Sequence, residues 1–270
     1  MTVKLVSNEK IAETSSKGNQ EKWLDHGKWY KLDQFGYEAL AEVFTSMLLE
    51  YSNIEKETPF TFTRYQMERM QVHGRERIGC SSDNFLRAGE SIVTLSHLFR
   101  QNLGKPLSNE LERFSSDKKR MAYLAEATAE ITELRDFPQY LTLLFEIDAL
   151  VLNDDRHLNN IAVIEKNGKF SYCPIFDQGA GLLSNTMYSP MHIIPKTLIA
   201  EAKARPLNTT FNRQIRTMQG MYGKQLKLPY FTRSELYEML KPLLPYYAAR
   251  DQELIADRAC ETILIRQKQQ

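Results

Sequence analysis

Apolar residues recur at Leu40, Val43, Phe44, Met47, Leu48 and Tyr51, a three-and-four spacing that predicts a helix over 37–51 with one face buried. Before it the pattern is strand-like. Val3–Leu5 predicts a short strand, and Trp23-Leu24 and Trp29-Tyr30-Lys31-Leu32 flank a turn at Asp25-His26-Gly27. After it Thr58–Met70, rich in Thr, Phe and Tyr, predicts a strand, and Arg77–Cys80 another. The N-terminal part therefore reads as a small sheet carrying one helix.

Beyond residue 84 the period is mostly helical. Helices are predicted over Ser91–Gln101, over Asp117–Leu134 with Met121, Leu124, Ala125, Thr128 and Ile131 on one face, and from Pro138 through Leu152. The last of these is apolar almost all round, which predicts a central position. Ile161-Ala162-Val163-Ile164 and Phe170–Phe176 flank Asn167-Gly168, a strong hairpin signal. Residues 178–230, with prolines 190, 195, 206 and 229, read as irregular. Thr232 and Glu235 form a T-x-x-E box that opens a helix over 233–243, and Arg250–Gln267 reads as a last helix. The expected class is α+β, with a β-rich lobe over 1–84 and a mostly helical lobe over 85–270, joined near 82–92.

With 270 residues and 42% hydrophobic positions, the chain can bury one large core or two modest ones. Lys plus Arg number 35 against 34 Asp plus Glu, so charge gives no reason to expect nucleic acid or an anionic membrane as partner. The three cysteines, Cys80, Cys173 and Cys260, are too sparse for a disulfide framework or a zinc site. The N-terminus has no apolar signal region, and the run Tyr140–Leu152 is broken by Glu146 and Asp148, so no membrane span is expected. A cytoplasmic location is expected, with secretion as an effector left open.

The densest polar cluster is Asn153-Asp154-Asp155-Arg156-His157-Leu158-Asn159-Asn160, wedged between a buried helix and a buried hairpin, where desolvation is costly. The hairpin returns the chain to Asp177-Gln178-Gly179, so Asp177 is expected beside Asn160. Asp155 would accept the proton of a nucleophilic hydroxyl, and Asn160 and Asp177 would give hard oxygens to Mg2+ bridging nucleotide phosphates. The spacing Asp-x-x-x-x-Asn, a hairpin, then Asp-x-Gly matches kinase catalytic and metal loops. Arg156 is expected to orient backbone or carboxylates, and His157 to act as a hydrogen-bonding strut. Lys31 would hold the phosphates and pair with an acid on the following helix. Glu38 is favoured there, and Glu42, one turn on, stays open. The loop Ser15–Gln20, with a single glycine at Gly18, could cradle phosphates.

These residues resemble the HipA-like serine/threonine kinase family of bacteria. The matches are Ser15-Ser16-Lys17-Gly18-Asn19-Gln20-Glu21-Lys22, Lys31, Tyr37-Glu38, Asn153–Asn160 and Ile175-Phe176-Asp177, in family order. A short, stand-alone branch that includes secreted or effector-like kinases looks most similar. The resemblance implies a bilobal kinase fold, with ATP and Mg2+ in the cleft and Ser15, Ser16, Gly18, Asn19 and Gln20 in the phosphate loop beside Lys31 and Glu38. It also implies transfer to Ser or Thr of a protein substrate, and autophosphorylation at Ser15 or its neighbour Ser16. Family toxins carry a further subdomain before the phosphate loop, which here opens near residue 13; this speaks against a toxin–antitoxin role. Two other readings stay open. One is a small-molecule or lipid kinase, with Arg205, Arg213, Arg216 and Lys224 on the acceptor side. The other, disfavoured because every catalytic residue type is present, is a binding module without catalysis.

Overall fold

The computed structural model describes residues 4–5 and 20–269. Ser15, Ser16, Gly18 and Asn19 lie outside the described residues.

A five-stranded sheet dominates the N-terminal part. It is built from β1 (Lys4–Leu5), β2 (Lys22–Asp25), β3 (Lys28–Leu32), β4 (Tyr65–Val72) and β5 (Arg75–Asp83), in the order β1-β4-β5-β3-β2. Only β1 and β4 run parallel. The β2–β3 turn places His26 and Gly27 at φ 46° and 76°. Two successive left-handed residues match the twist of a hairpin and favour glycine at the second. Register follows from that turn: Lys22 lies opposite Lys31, and Lys31 opposite Cys80. Cross-strand partners share a face, so the two lysines point the same way. Trp23, Tyr30 and Leu32 point the other way and cluster with Met70 and Val72.

The expected strand over 58–70 is shorter: helix α2 (Ile54–Glu57) precedes it, an isolated parallel bridge joins Phe62 to Ile175, and the strand β4 itself begins at Tyr65. The main helix, α1 (Glu38–Leu49), is buried along nearly its whole length, the carboxylates of Glu38 and Glu42 included.

The remainder is helical around a three-stranded sheet, β6 (Ser91–Thr94), β7 (Ala162–Lys166) and β8 (Lys169–Tyr172), in that order. Here the expected helix over 91–101 is corrected. Ile92 and Val93 pair with Ile164 and Val163, and helix α3 (Leu95–Leu103) starts only where the Thr94 side chain accepts from His97 N. β-Branched residues beside a β-branched partner strand override the helical spacing. Next come α4 (Leu107–Glu112), which the sequence reading lacked, α5 (Asp117–Thr132) and α6 (Phe137–Val151). The stretch read as irregular holds α7 (Pro195–Glu201) and α8 (Phe211–Tyr222), each with a readable start: Pro195 in the first turn, and Thr210 accepting from Arg213 N. Helices α9 (Arg233–Leu240) and α10 (Ala249–Arg266) close the chain, and both halves of the Thr232–Glu235 capping box are formed.

One core runs from α1 (Leu40, Phe44) through Tyr65 of β4 and the centre of α6 (Leu144, Ile147) to Ile263 of α10. Helix α6 is buried all round and carries Asp148 into this core. Asp148 meets Arg156 fork to fork, with Nε–Oδ2 at 2.8 Å and Nη2–Oδ1 at 2.9 Å; each partner is 1% exposed. Such a pair holds only while both members are present. Asp148→Ala should therefore cost about 3–5 kcal/mol, because it leaves a buried, uncompensated guanidinium. Thr232→Ala should cost about 1 kcal/mol, the ordinary value of an N-cap. Urea unfolding of the two variants beside the parent chain measures both, and the order of the two losses is the sharper check.

Candidate active site

Lys31 of β3 projects into the space between the sheet and α1. Its Nζ lies 2.5 Å from Glu42 Oε1 and 2.7 Å from Asp177 Oδ1, over the ring of Tyr65. Burial alone would draw the ammonium's pKa down, but the Asp177 and Glu42 carboxylates outweigh it and hold it well above the usual lysine value. Glu42 bridges further, its second oxygen accepting from Gln178 N at 2.8 Å. Lys31, helix α1 and the Asp177–Gln178 segment are thus one network.

The partner of Lys31 is Glu42, which corrects the preference for Glu38. Glu38 is the first residue of α1, and its carboxylate folds back to accept from Gln34, Phe35 and Gly36 N at 3.3, 2.7 and 3.1 Å. It caps the turn that enters the helix. One turn deeper, Glu42 is the acid that reaches the strand.

Asp177 sits at φ 68°, a left-handed position that asparagine and aspartate tolerate better than most side chains. Its N–H points to Tyr65 Oη at 3.4 Å, and its carbonyl accepts from Asn153 Nδ2 at 3.1 Å. Burial opposes its ionisation, but Lys31 and Lys22 prevail and hold the carboxyl well below the usual carboxylate range. The pKa of Lys22 itself is lowered, first by burial. Lys22 is the second cation of the site, and the sequence reading left it without a role.

The polar loop is tied to Asp177 by Arg156. Besides gripping Asp148, its Nη1 donates to Asn160 O and to Phe176 O, both at 2.9 Å. This places the two strand ends side by side, as the hairpin predicted. Asn153 adds a second tie, donating to both Asp148 Oδ1 and Asp177 O. Asn160 Nδ2 donates to Asp155 O at 3.2 Å, so the amide oxygen is what Asn160 can offer a cation. Asp155 stands exposed at the loop's rim, with His157 Nε2 3.9 Å from its Oδ2. Desolvation pushes the Asp155 carboxyl up, His157 draws it down, and the charge of Asp177 pushes it up again. Gln20, the one residue of the Ser15–Gln20 segment within the described residues, donates to Leu32 O of β3 at 2.8 Å.

Past Asp177 the chain is pinned against the entry to α1. Tyr37 N donates to Ser184 O, and the Tyr37 hydroxyl lies 2.8 Å from Leu182 O. A Cβ on Gly36 would run into the Ser184 carbonyl. Arg258 of α10 secures the joint by donating to Tyr37 Oη, Leu183 O, Ser189 O and Pro190 O.

The donor set fits a magnesium nucleotide. Asp177 and Asn160 offer hard oxygens, and Mg2+ is ordinarily held by one or two carboxylates with substrate phosphates and water completing its shell. Among the described residues no group of three or more His, Cys, Asp or Glu could hold a metal by itself.

No family model matches the chain, and no curated protein matches it by sequence. Solved structures do. The chain is similar to the Helicobacter pylori proinflammatory kinase CtkA, with a TM-score of 0.59 and 11% identity over 94% of this chain and 89% of that one. It also aligns with a chain of the Shewanella oneidensis MR-1 toxin–antitoxin complex of HipA, HipB and operator DNA, with a TM-score of 0.45 and 13% identity, over 94% of this chain and 65% of that one. The likeness to CtkA establishes a kinase-like fold, with a sheet-rich N-terminal part and a helical remainder.

Proposed function

We propose that the chain is an ATP- and magnesium-dependent phosphotransferase acting on Ser or Thr hydroxyls of proteins, itself included. The observation that carries this reading is the convergence of Lys31, Glu42, Asp177 and the Asp155–Asn160 loop, drawn together by Arg156. In this reading residues 1–84 and 85–270 are the two lobes, and the phosphate loop is Ser15–Gln20.

The bound magnesium nucleotide supplies the transferable phosphoryl group and neutralises charge on it. The protein's part is positioning and proton transfer. Lys31, kept cationic by Glu42 and Asp177, holds phosphate oxygens, with Lys22 as a second cation. Asp177, kept ionised, and the amide oxygen of Asn160 hold the ion. Asp155 accepts the proton of the acceptor hydroxyl on its exposed carboxylate, a role that suits a group at the rim. Arg156 and Asn153 fix the loop through backbone carbonyls and touch no substrate.

Incubation with Mg·ATP labelled at the γ-position should label the chain and a generic protein acceptor. Asp155→Asn should lower transfer about 10²–10⁴-fold, the usual worth of a general base, with ATP affinity nearly unchanged. Undiminished turnover would remove Asp155 from this role. Glu42→Gln should lower kcat/KM for ATP sharply, whereas Glu38→Gln should act mainly on the melting temperature; equal kinetic losses would break the distinction drawn from their contacts. Only the ionised Asp155 can take a proton, and its folded pKa is raised. The rate should therefore fall as pH is lowered through a midpoint above about 4, the unperturbed carboxylate value. A pH–rate profile at saturating ATP reads it directly.

A further inference from the structure

A cavity of about 370 Å³ opens beside the Asn153–Asn160 loop, lined by Thr94, Ser96, His97, Arg100 and Asn159. It shares no residue with the Lys31–Asp177 cluster. Its two walls, the start of α3 and the loop, are joined by backbone bonds: Leu95 N to Ile161 O at 2.8 Å and Ser96 N to Leu158 O at 3.2 Å. These bonds bracket Asn159 and Asn160, so the cavity is fixed to the loop that carries the proposed metal ligand. The amides of Leu95, Ser96 and His97 are all spent within the protein, the last on Thr94 Oγ1. What the cavity offers a ligand is therefore its side chains.

Those side chains have one character. All five can donate hydrogen bonds, and none is a carboxylate. Arg100 contributes a permanent charge on a planar fork suited to bidentate oxygen pairs. Arg100 and His97 are exposed, and neither has an ion-pair partner among the described residues. A carboxylate would present two oxygens to this ring of donors; a phosphate presents three, in three directions, and matches it better.

We propose that this cavity binds a dianionic phosphate group, carried on a side chain of the acceptor protein or taken up as free phosphate. The first source rests on the kinase reading above, and the geometry favours it. Asn159 is four residues from Asp155, so the two α-carbons are at most about 15 Å apart. An extended peptide covers that span in four or five residues. A hydroxyl at Asp155 and a phosphorylated residue in the cavity can thus belong to one short segment. The cavity would then select acceptors that already carry a phosphate a few positions from the target hydroxyl.

The test is calorimetric titration of the full chain with three probes: the peptide Ac-Ala-pSer-Ala-Ala-Ala-Ser-Ala-amide, its unphosphorylated twin, and inorganic phosphate. The phosphopeptide should bind at least about tenfold more tightly than its twin, the worth of one charge-assisted bidentate contact. Arg100→Gln should remove most of that difference, and a melting curve controls for its folding; Arg100→Lys should restore only part of it. A phosphopeptide that binds well above inorganic phosphate supports the site and assigns the source to the acceptor chain. Equal binding of the two, both sensitive to Arg100, supports the site and assigns it to the free anion. Twin peptides of equal affinity together with no phosphate binding overturn the proposal, as does discrimination that survives Arg100→Gln. Titration of the Asp155→Asn variant separates this site from the kinase reading, since discrimination without transfer needs only the cavity.

Discussion

The arrangement of the candidate site depends on one buried ion pair. Arg156 reaches the core because Asp148 waits there on α6, and the paired guanidinium still has an N–H face with which to hold the carbonyls of Asn160 and Phe176. A neutral side chain at 156 could fill the space but could not bind a carboxylate and two carbonyls in one plane. The cost of desolvating the charges is offset by satisfying nearly every donor of the fork. The pair therefore acts less as a source of stability than as a jig: it fixes which backbone atoms meet, and the side chains of Asp155, Asn160 and Asp177 follow.

A second constraint is electrostatic. Lys31, Glu42 and Asp177 lie within hydrogen-bond distance in a region largely shut off from water, with Lys22 close by. Two lysines and two carboxylates nearly neutralise one another, which is what permits such a density of charge away from solvent. Each group holds another in its ionised form. An anionic ligand entering here would meet cations that are already ordered, so little reorganisation is left for the binding step.

Much of this was legible in the sequence. The α1 periodicity, the Asn167-Gly168 turn and the T-x-x-E box each encode their structure locally, and the hairpin brings Asp177 to Asn160 by topology alone. What escaped depended on longer-range partners. Ser91–Thr94 became a strand because Ala162–Glu165 lay alongside, which no local period reports. Lys22 could have been found by counting outward from the His26-Gly27 turn, since equal steps on either side land on residues 22 and 31. The choice between Glu38 and Glu42 could not, because both share a face of α1. It was settled by where the helix begins, and so by which acid lies nearest the unpaired amides of the turn before it.

The joint between Tyr37, Ser184 and Arg258 has a mechanical consequence. The entry to α1, the stretch after Asp177 and the final helix are clamped at one point, with a glycine at 36 letting two backbones touch. A helix held in this way cannot swing outward and carry Glu42 off Lys31 without unmaking a buried guanidinium's contacts. The joint thereby ties the last helix of the chain to the helix that carries Glu42, so that Arg258, more than two hundred residues away in sequence, helps to keep that carboxylate on Lys31.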